Sequence, residues 1–179
     1  GLKRDIYEGG HHVPFLVKWP GVTKPGSVCE ALVSQIDLMG TFAAALGVAL
    51  PEDAAEDSHD LLPLLSGSAT PVRDAHVHNT YDKQYAIRHG DWLHIDAENG
   101  YRSGRNTEWE KRHGYPRDDG QAVELFDLSK DLGQRNNIAA KHPDVLARLQ
   151  KKLDAWESEL VTPLWGPGSP GFVEKKKLP

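Results

Sequence analysis

The sequence predicts an α/β protein in two parts: residues 1–70 form a piece of a larger sheet core, and residues 71–179 form a small antiparallel sheet packed by a C-terminal helix. Three observations carry this. Val13 to Trp19 is a nearly continuous apolar run bounded by Gly9-Gly10 and Pro20-Gly21, the pattern of a strand buried on both faces in a mostly parallel sheet. His76 to Tyr81, Tyr85 to Arg88 and Trp92 to Ile95 are short segments separated by Asp82-Lys83 and Gly90-Asp91, the spacing of an antiparallel meander. After Pro143, Leu146, Leu149, Leu153, Trp156 and Leu160 fall on one stripe, so a helix over about 143–160 covers one face of that meander.

The remaining elements follow in order. Ser34 and Asp37 have capping-box spacing, Ile36, Met39, Ala43 and Leu46 recur at helical period, and Gly47 ends the run; a helix from Ser34 to Leu46 should pack on the first sheet. Pro51 to Asp60 is an acidic loop, and Leu61 to Leu65 a short apolar turn or helix. Ser66 to Pro71 has linker composition, which places the boundary between the two parts at residue 70. Asn99 to Gly120 reads as a polar surface insertion, Val123 to Leu128 as a further strand, and the tail after Pro163 as loosely held.

Composition narrows the function classes. With 39% hydrophobic residues the chain is globular in type. The 21 basic and 26 acidic residues give a formal net charge of −5, which argues against a nucleic-acid partner. No apolar run approaches the ~20 residues that span a bilayer, so no membrane partner is expected. Cys29 is the single cysteine, so an internal disulfide, a zinc ribbon and a redox pair are all excluded.

The densest combination of uncommon features is at the start: Lys3, then Tyr7-Glu8-Gly9-Gly10, Val13-Pro14 and Trp19-Pro20-Gly21. A fixed ammonium suits an anionic ester, because it stabilises charge that grows on the bridging oxygen as the bond breaks. Paired glycines let the chain turn, and the Glu8 carboxylate is placed to tie down nearby backbone N–H groups. Lys3 to Gly21 resembles the active-site lysine segment of the sulfatase family, which runs Gly-x-Lys, four residues, Glu-Gly-Gly-x-Arg-Val-Pro, an apolar strand and Trp-Pro-Gly. This sequence departs from it at His12, where the family has arginine. The resemblance continues through Val33 to Leu38, Asp57-Ser58, Leu62 to Leu65, Tyr85 to Trp92 and Glu124 to Leu128 with Asp131 and Asn137, reaching about Trp156.

The resemblance implies an alkaline-phosphatase-like sheet sandwich of which this chain is the C-terminal portion, and sulfate-ester hydrolysis with Lys3 as the catalytic cation. It also implies calcium and a formylglycine nucleophile, both supplied by residues before Gly1, so that this chain alone is expected to be inactive and to need the N-terminal part of the same protein as its partner. A sulfated small molecule or glycan is the implied substrate, and a periplasmic or secreted location goes with the family. Two alternatives stand beside this: a phosphonate or phosphodiester hydrolase of the same superfamily, and a non-catalytic domain binding anionic glycans through Lys3, His11 and the basic patch of Arg102, Arg105, Lys111 and Arg112.

Other features weigh less. His76 and His78 alternate on a strand and so share a face, but two ligands do not close a zinc site, and no metal site is expected in this chain. Contact with substrate at a cleft rim is the use expected for His78 and His11. Glu52-Asp53, Glu56-Asp57 and Asp118-Asp119 lack a calcium-loop spacing. Ala69-Thr70-Pro71-Val72-Arg73 has the skeleton of the family's nucleophile motif but starts with alanine, which cannot become a nucleophile, and is read as coincidence.

Overall fold

Four short strands pair in sequence order into one antiparallel sheet: β1 (Ala75–Asn79), β2 (Tyr85–His89), β3 (Trp92–Asp96) and β4 (Glu124–Asp127). The computed structural model describes residues 3, 5–80, 84–97, 108, 112–113 and 123–160. The meander expected over 76–95 is therefore present, with Val123 to Leu128 joining as its fourth strand. Gly90 takes φ 60° beside His89, which pairs with Trp92, the positive value that a two-residue hairpin needs at its first central position. The Asp82-Lys83 turn lies outside the described residues.

Strand alternation divides the side chains between two faces. The register aligns His78 with Ala86, Ala86 with Ile95, Arg88 with Leu93 and Leu93 with Phe126 on one face. Val77, Ile87, His94 and Leu125 lie on the other. That second face is covered by the helix that the stripe after Pro143 predicts, observed as Pro143–Ser158. Its Leu149 and Leu153 are fully buried against Ile87, Leu125 and Ala139, with Leu146 and Trp156 at the margin, whereas Leu160 lies beyond the helix and is 48% exposed. His94 is buried in this layer, its Nδ1–H donating to the Glu124 carbonyl (3.1 Å). Gln150 donates to Asp96 and Asp154, which turns its Oε1 toward His94 Nε2 at 2.7 Å.

The free edge of β4 is closed by side-chain and backbone bonds from the following loop. Asn137 Oδ1 accepts the Leu125 N–H, Asn137 Nδ2 donates to the Val123 carbonyl, and the Ile138 N–H donates to the Leu125 carbonyl. An edge satisfied in this way offers no template for another strand.

Ahead of the sheet are three helices: α1 (Glu8–His11), α2 (Asp37–Leu46) and α3 (Leu62–Leu65). The helix after Ile138, Pro143–Ser158, is α4. The sequence places the start of α2 at Ser34; the helix starts at Asp37, but the capping contact is real, because the Ser34 N–H donates to Asp37 Oδ2 at 2.7 Å. Gly47 ends α2 with φ 65°, as a left-handed C-terminal glycine does.

Two expectations fail. Val13 to Trp19 is not a strand, and Val13, Phe15, Leu16 and Val17 are 51%, 48%, 87% and 37% exposed. A central strand needs backbone partners on both sides, and none of the described strands lies beside this run. Nor does the apolar face of α2 pack on a sheet: Ile36, Met39 and Leu46 are 46%, 58% and 77% exposed, while Asp37 and Thr41 are buried. The buried face is the polar one, because Asp37 and Thr41 satisfy backbone groups of neighbouring loops. Thr41 Oγ1 accepts the Leu61 N–H and Asp37 Oδ1 accepts the His59 N–H. The expected insertion at 99–120 is described only at 108, 112 and 113, and the tail after Pro163 lies outside the described residues.

Candidate active-site segment

The first face of the sheet is covered by the chain that follows Lys3. Asp5, Ile6, Tyr7 and Glu8 are all buried, and Ile6 and Tyr7 share one apolar cluster with Ala86, Leu93, Ile95, Phe126 and Leu128. Three long-range bonds fix three successive residues. The Ile6 carbonyl accepts from His78 Nε2 (2.9 Å), the Tyr7 hydroxyl donates to Glu124 Oε2 (2.7 Å), and the Glu8 N–H donates to Gln134 Oε1 (2.7 Å). Gln134 is itself buried and takes φ 51°, a left-handed conformation that costs a non-glycine residue about 1–3 kcal/mol. Lys3 lies two residues ahead of this buried run and is exposed.

The run then turns through α1. Gly10 is required there by close approach: a Cβ at that position would lie 2.1 Å from the Asp5 carbonyl oxygen. Among the described residues, the Glu8 carboxylate meets side chains, where the sequence suggests backbone N–H groups. His12 Nδ1 lies 2.7 Å from its Oε2, with Arg88 Nη1 at 3.9 Å from the same atom and His11 Nε2 at 3.9 Å from Oε1. His12, standing where the resemblance expects arginine, thus meets Glu8 across one helical turn.

His11, His76 and His78 come together from opposite sides of this turn. The His11 and His78 ring centroids are 3.8 Å apart, and those of His76 and His78 6.3 Å apart in a near-parallel stack. Burial, then the neighbouring His78, pushes His11 down to about 3. Burial, then the Arg73 guanidinium, pushes His76 down to about 4, against the opposing pull of Asp37 and Asp57. Burial also lowers His78, partly offset by its bond to Ile6 and by Glu8. All three are therefore neutral at pH 7, and a neutral imidazole offers one donor and one acceptor. His11 keeps 31% of its side chain exposed and is the outermost of the three.

Arg73, part of the chance-looking Ala69 to Arg73 stretch, has a structural use. Its guanidinium pairs with the buried Asp37, reaches the Asp57 carbonyl (3.3 Å) and lies 3.4 Å from His76 Nδ1. One buried ion pair thus joins α2 to the entrance of β1. Among the described residues, no three His, Cys, Asp or Glu side chains form a group that could hold a metal ion. The calcium that the resemblance implies finds no ligand set in them.

A family model for the C-terminal part of N-sulphoglucosamine sulphohydrolase matches residues 2–159. The chain belongs to this sulfatase family. It is 35% identical over 158 residues to the N-acetylgalactosamine-6-O-sulfatase of Bacteroides thetaiotaomicron, covering 87% of this chain and 29% of that protein. With human arylsulfatase A the identity is 32% over 168 residues, covering 88% and 32%. A solved Bacteroides thetaiotaomicron structure, from work on the metabolism of multiple glycosaminoglycans, superposes with a TM-score of 0.70 at 35% identity, over 88% of this chain and 31% of its own. A second, holding D-glucosamine-2-N,6-O-disulfate as its substrate, shares the fold at a TM-score of 0.57 and 21% identity, over 79% and 27%. The chain spans about a third of the length of the relatives that it matches.

Within this sulfatase C-terminal region, the sequence offers Lys3, His11 and His78 as candidate site residues. The structure brings the two histidines together and ties His78 to the lysine segment through Ile6. Arg88, Glu124 and Gln134 were missed. The first two had a signal, since a charge interrupts a short apolar strand and alternation puts it on the inner face; Gln134, in a loop, had none. Of the basic patch considered for glycan binding, Arg102, Arg105 and Lys111 lie outside the described residues.

Proposed function

We propose that this chain is the C-terminal portion of a sulfatase that hydrolyses sulfate esters of a glycan or other small molecule, and that Lys3 supplies the cation that holds the sulfate. The observation that carries the reading is the Lys3 segment itself: an exposed lysine two residues ahead of a run of four buried residues, three of them bonded to separate elements of the sheet region. A fixed ammonium of this kind acts mainly in the transition state, because the charge on the bridging oxygen increases as the S–O bond breaks. His11 stands at the substrate rim with His78 behind it, where neutral imidazoles suit sugar hydroxyls without competing with Lys3 for the sulfate. The relatives' names support a sulfated substrate, and the glucosamine disulfate complex supports a glycan.

Calcium and formylglycine belong to this proposal as contributions of other parts of the complete protein. The exposed apolar residues Phe15, Leu16, Met39, Phe42 and Leu46 are side chains that those other parts could cover. We place the boundary between the core piece and the sheet region at residue 70.

Sulfate release by the complete protein from an aryl sulfate and from sulfated glycan fragments tests the reading. Sulfate esters should be turned over faster than a phosphodiester or phosphonate ester; the reverse preference would replace this reading with the phosphoryl one. Lys3→Ala should lower kcat/KM by roughly a hundredfold, the typical loss for one transition-state contact. Unchanged turnover would remove Lys3 from the mechanism.

A further inference from the structure

We propose that His78 is a positioning residue, which sets the place of the lysine-bearing segment by donating its Nε2–H to the Ile6 carbonyl; this rests on the reading of Lys3 as the sulfate-binding cation. The bond is 2.9 Å long and joins residues 72 apart in sequence. A carbonyl oxygen only accepts, so the proton is on Nε2, and the tautomer follows from the partner. The ring has little freedom to swing away: His11 lies against it with centroids 3.8 Å apart and His76 is stacked at 6.3 Å. His78 is also on a strand, paired across the register with the fully buried Ala86, so its own place is fixed by the sheet.

Of the three bonds that hold Ile6, Tyr7 and Glu8, this one is the nearest in sequence to Lys3. It is also the one that grips a backbone carbonyl from a neutral group, so it adds no charge to compete for an anion beside the lysine. A sulfate-binding cation acts through its exact distance from the bridging oxygen, and a displacement of about 1 Å costs up to a hundredfold in rate. Nε2 is committed to Ile6, which leaves Nδ1 as the only ring nitrogen of His78 with which it could meet a substrate.

Two variants of the complete protein decide the matter. His78→Leu keeps a comparable volume and removes the donor; His78→Gln restores an amide N–H at about the reach of Nε2. For a positioning residue, His78→Leu lowers kcat at least tenfold with KM within about threefold, and His78→Gln recovers most of the loss. In parallel, amide hydrogen exchange over residues 5–11 accelerates about fivefold in His78→Leu, as loss of one hydrogen bond implies, returns in His78→Gln, and stays unchanged over α4. A raised KM with kcat kept would make His78 a substrate contact and overturn the proposal. So would unchanged exchange at 5–11, faster exchange throughout α4, or a glutamine variant no better than leucine. If the unmodified protein releases no sulfate, the sulfatase reading fails, and the exchange measurements still decide whether His78 fixes the segment.

Discussion

The two faces of the four-stranded sheet are covered by different means. On one, α4 lays a stripe of leucines against Ile87 and Leu125, a contact made of area and shape. On the other, the chain after Lys3 buries Ile6 and Tyr7 but is pinned residue by residue, through His78, Glu124 and Gln134. Burial of apolar area is non-directional, so the helix face contributes stability without holding any one atom in place. Hydrogen bonds are directional and modest in net energy, so the segment face contributes position more than stability. A cation that must act at a fixed distance is better carried by the second kind of cover.

The largest effect that tests this difference is on the helix face. Leu149→Ala should destabilise the fold by about 2–5 kcal/mol, seen as a lower urea midpoint, while hydrogen exchange at residues 5–11 rises no more than global unfolding requires. Preferential opening of 5–11 would break the distinction between the faces. Next comes Tyr7→Phe, which removes a hydroxyl donated to the buried Glu124 carboxylate and should cost about 1.5–3 kcal/mol. Its signature is local, with faster exchange at 5–11 and little change over α4; a uniform increase would mean that the segment is ordinary core.

The smallest effect is a pH dependence confined to the segment face. His11 and His76 titrate at about 3 and 4 in the folded chain and His78 below the ordinary imidazole value, whereas the unfolded chain takes up these protons near 6.5. The unfolded state therefore binds more protons in this window. Stability is fully present above about pH 7 and is lost as pH falls from about 6.5 toward 4. The other titratable or charged groups around the cluster are His12, Glu8, Arg88, Arg73, Asp37 and Asp57, of which the three carboxylates oppose the loss. Urea midpoints measured between about pH 7.5 and 5 should fall, and less steeply in His76→Gln. An equal slope in that variant would remove the cluster as its source.

Much of the fold was legible because its signals are local. The stripe through Leu149 and Leu153 specifies α4, the turn chemistry of Gly90-Asp91 specifies a hairpin, and Gly47 ends α2 where a left-handed residue is needed. Sequence pattern and structure differ where a pattern depends on partners. Val13 to Trp19 has a strand's composition but no strand beside it among the described residues, and the periodic apolar residues of α2 are exposed because Asp37 and Thr41 have backbone donors to satisfy. At the candidate site, Lys3 was visible as a motif and the pairing of His76 with His78 as an alternation.

The sequence by itself determined that an amphipathic helix covers a short meander, that Lys3 precedes a tightly turning Glu-Gly-Gly run, and which family these motifs resemble. Only the tertiary structure decided that residues 5–8 lie on the sheet's first face, that Glu8 meets Arg88, and that His78 grips Ile6. The reason is separation: periodicity and turn chemistry act within a few residues, whereas these contacts join residues 72 to 126 positions apart, with nothing in the intervening chain to mark them.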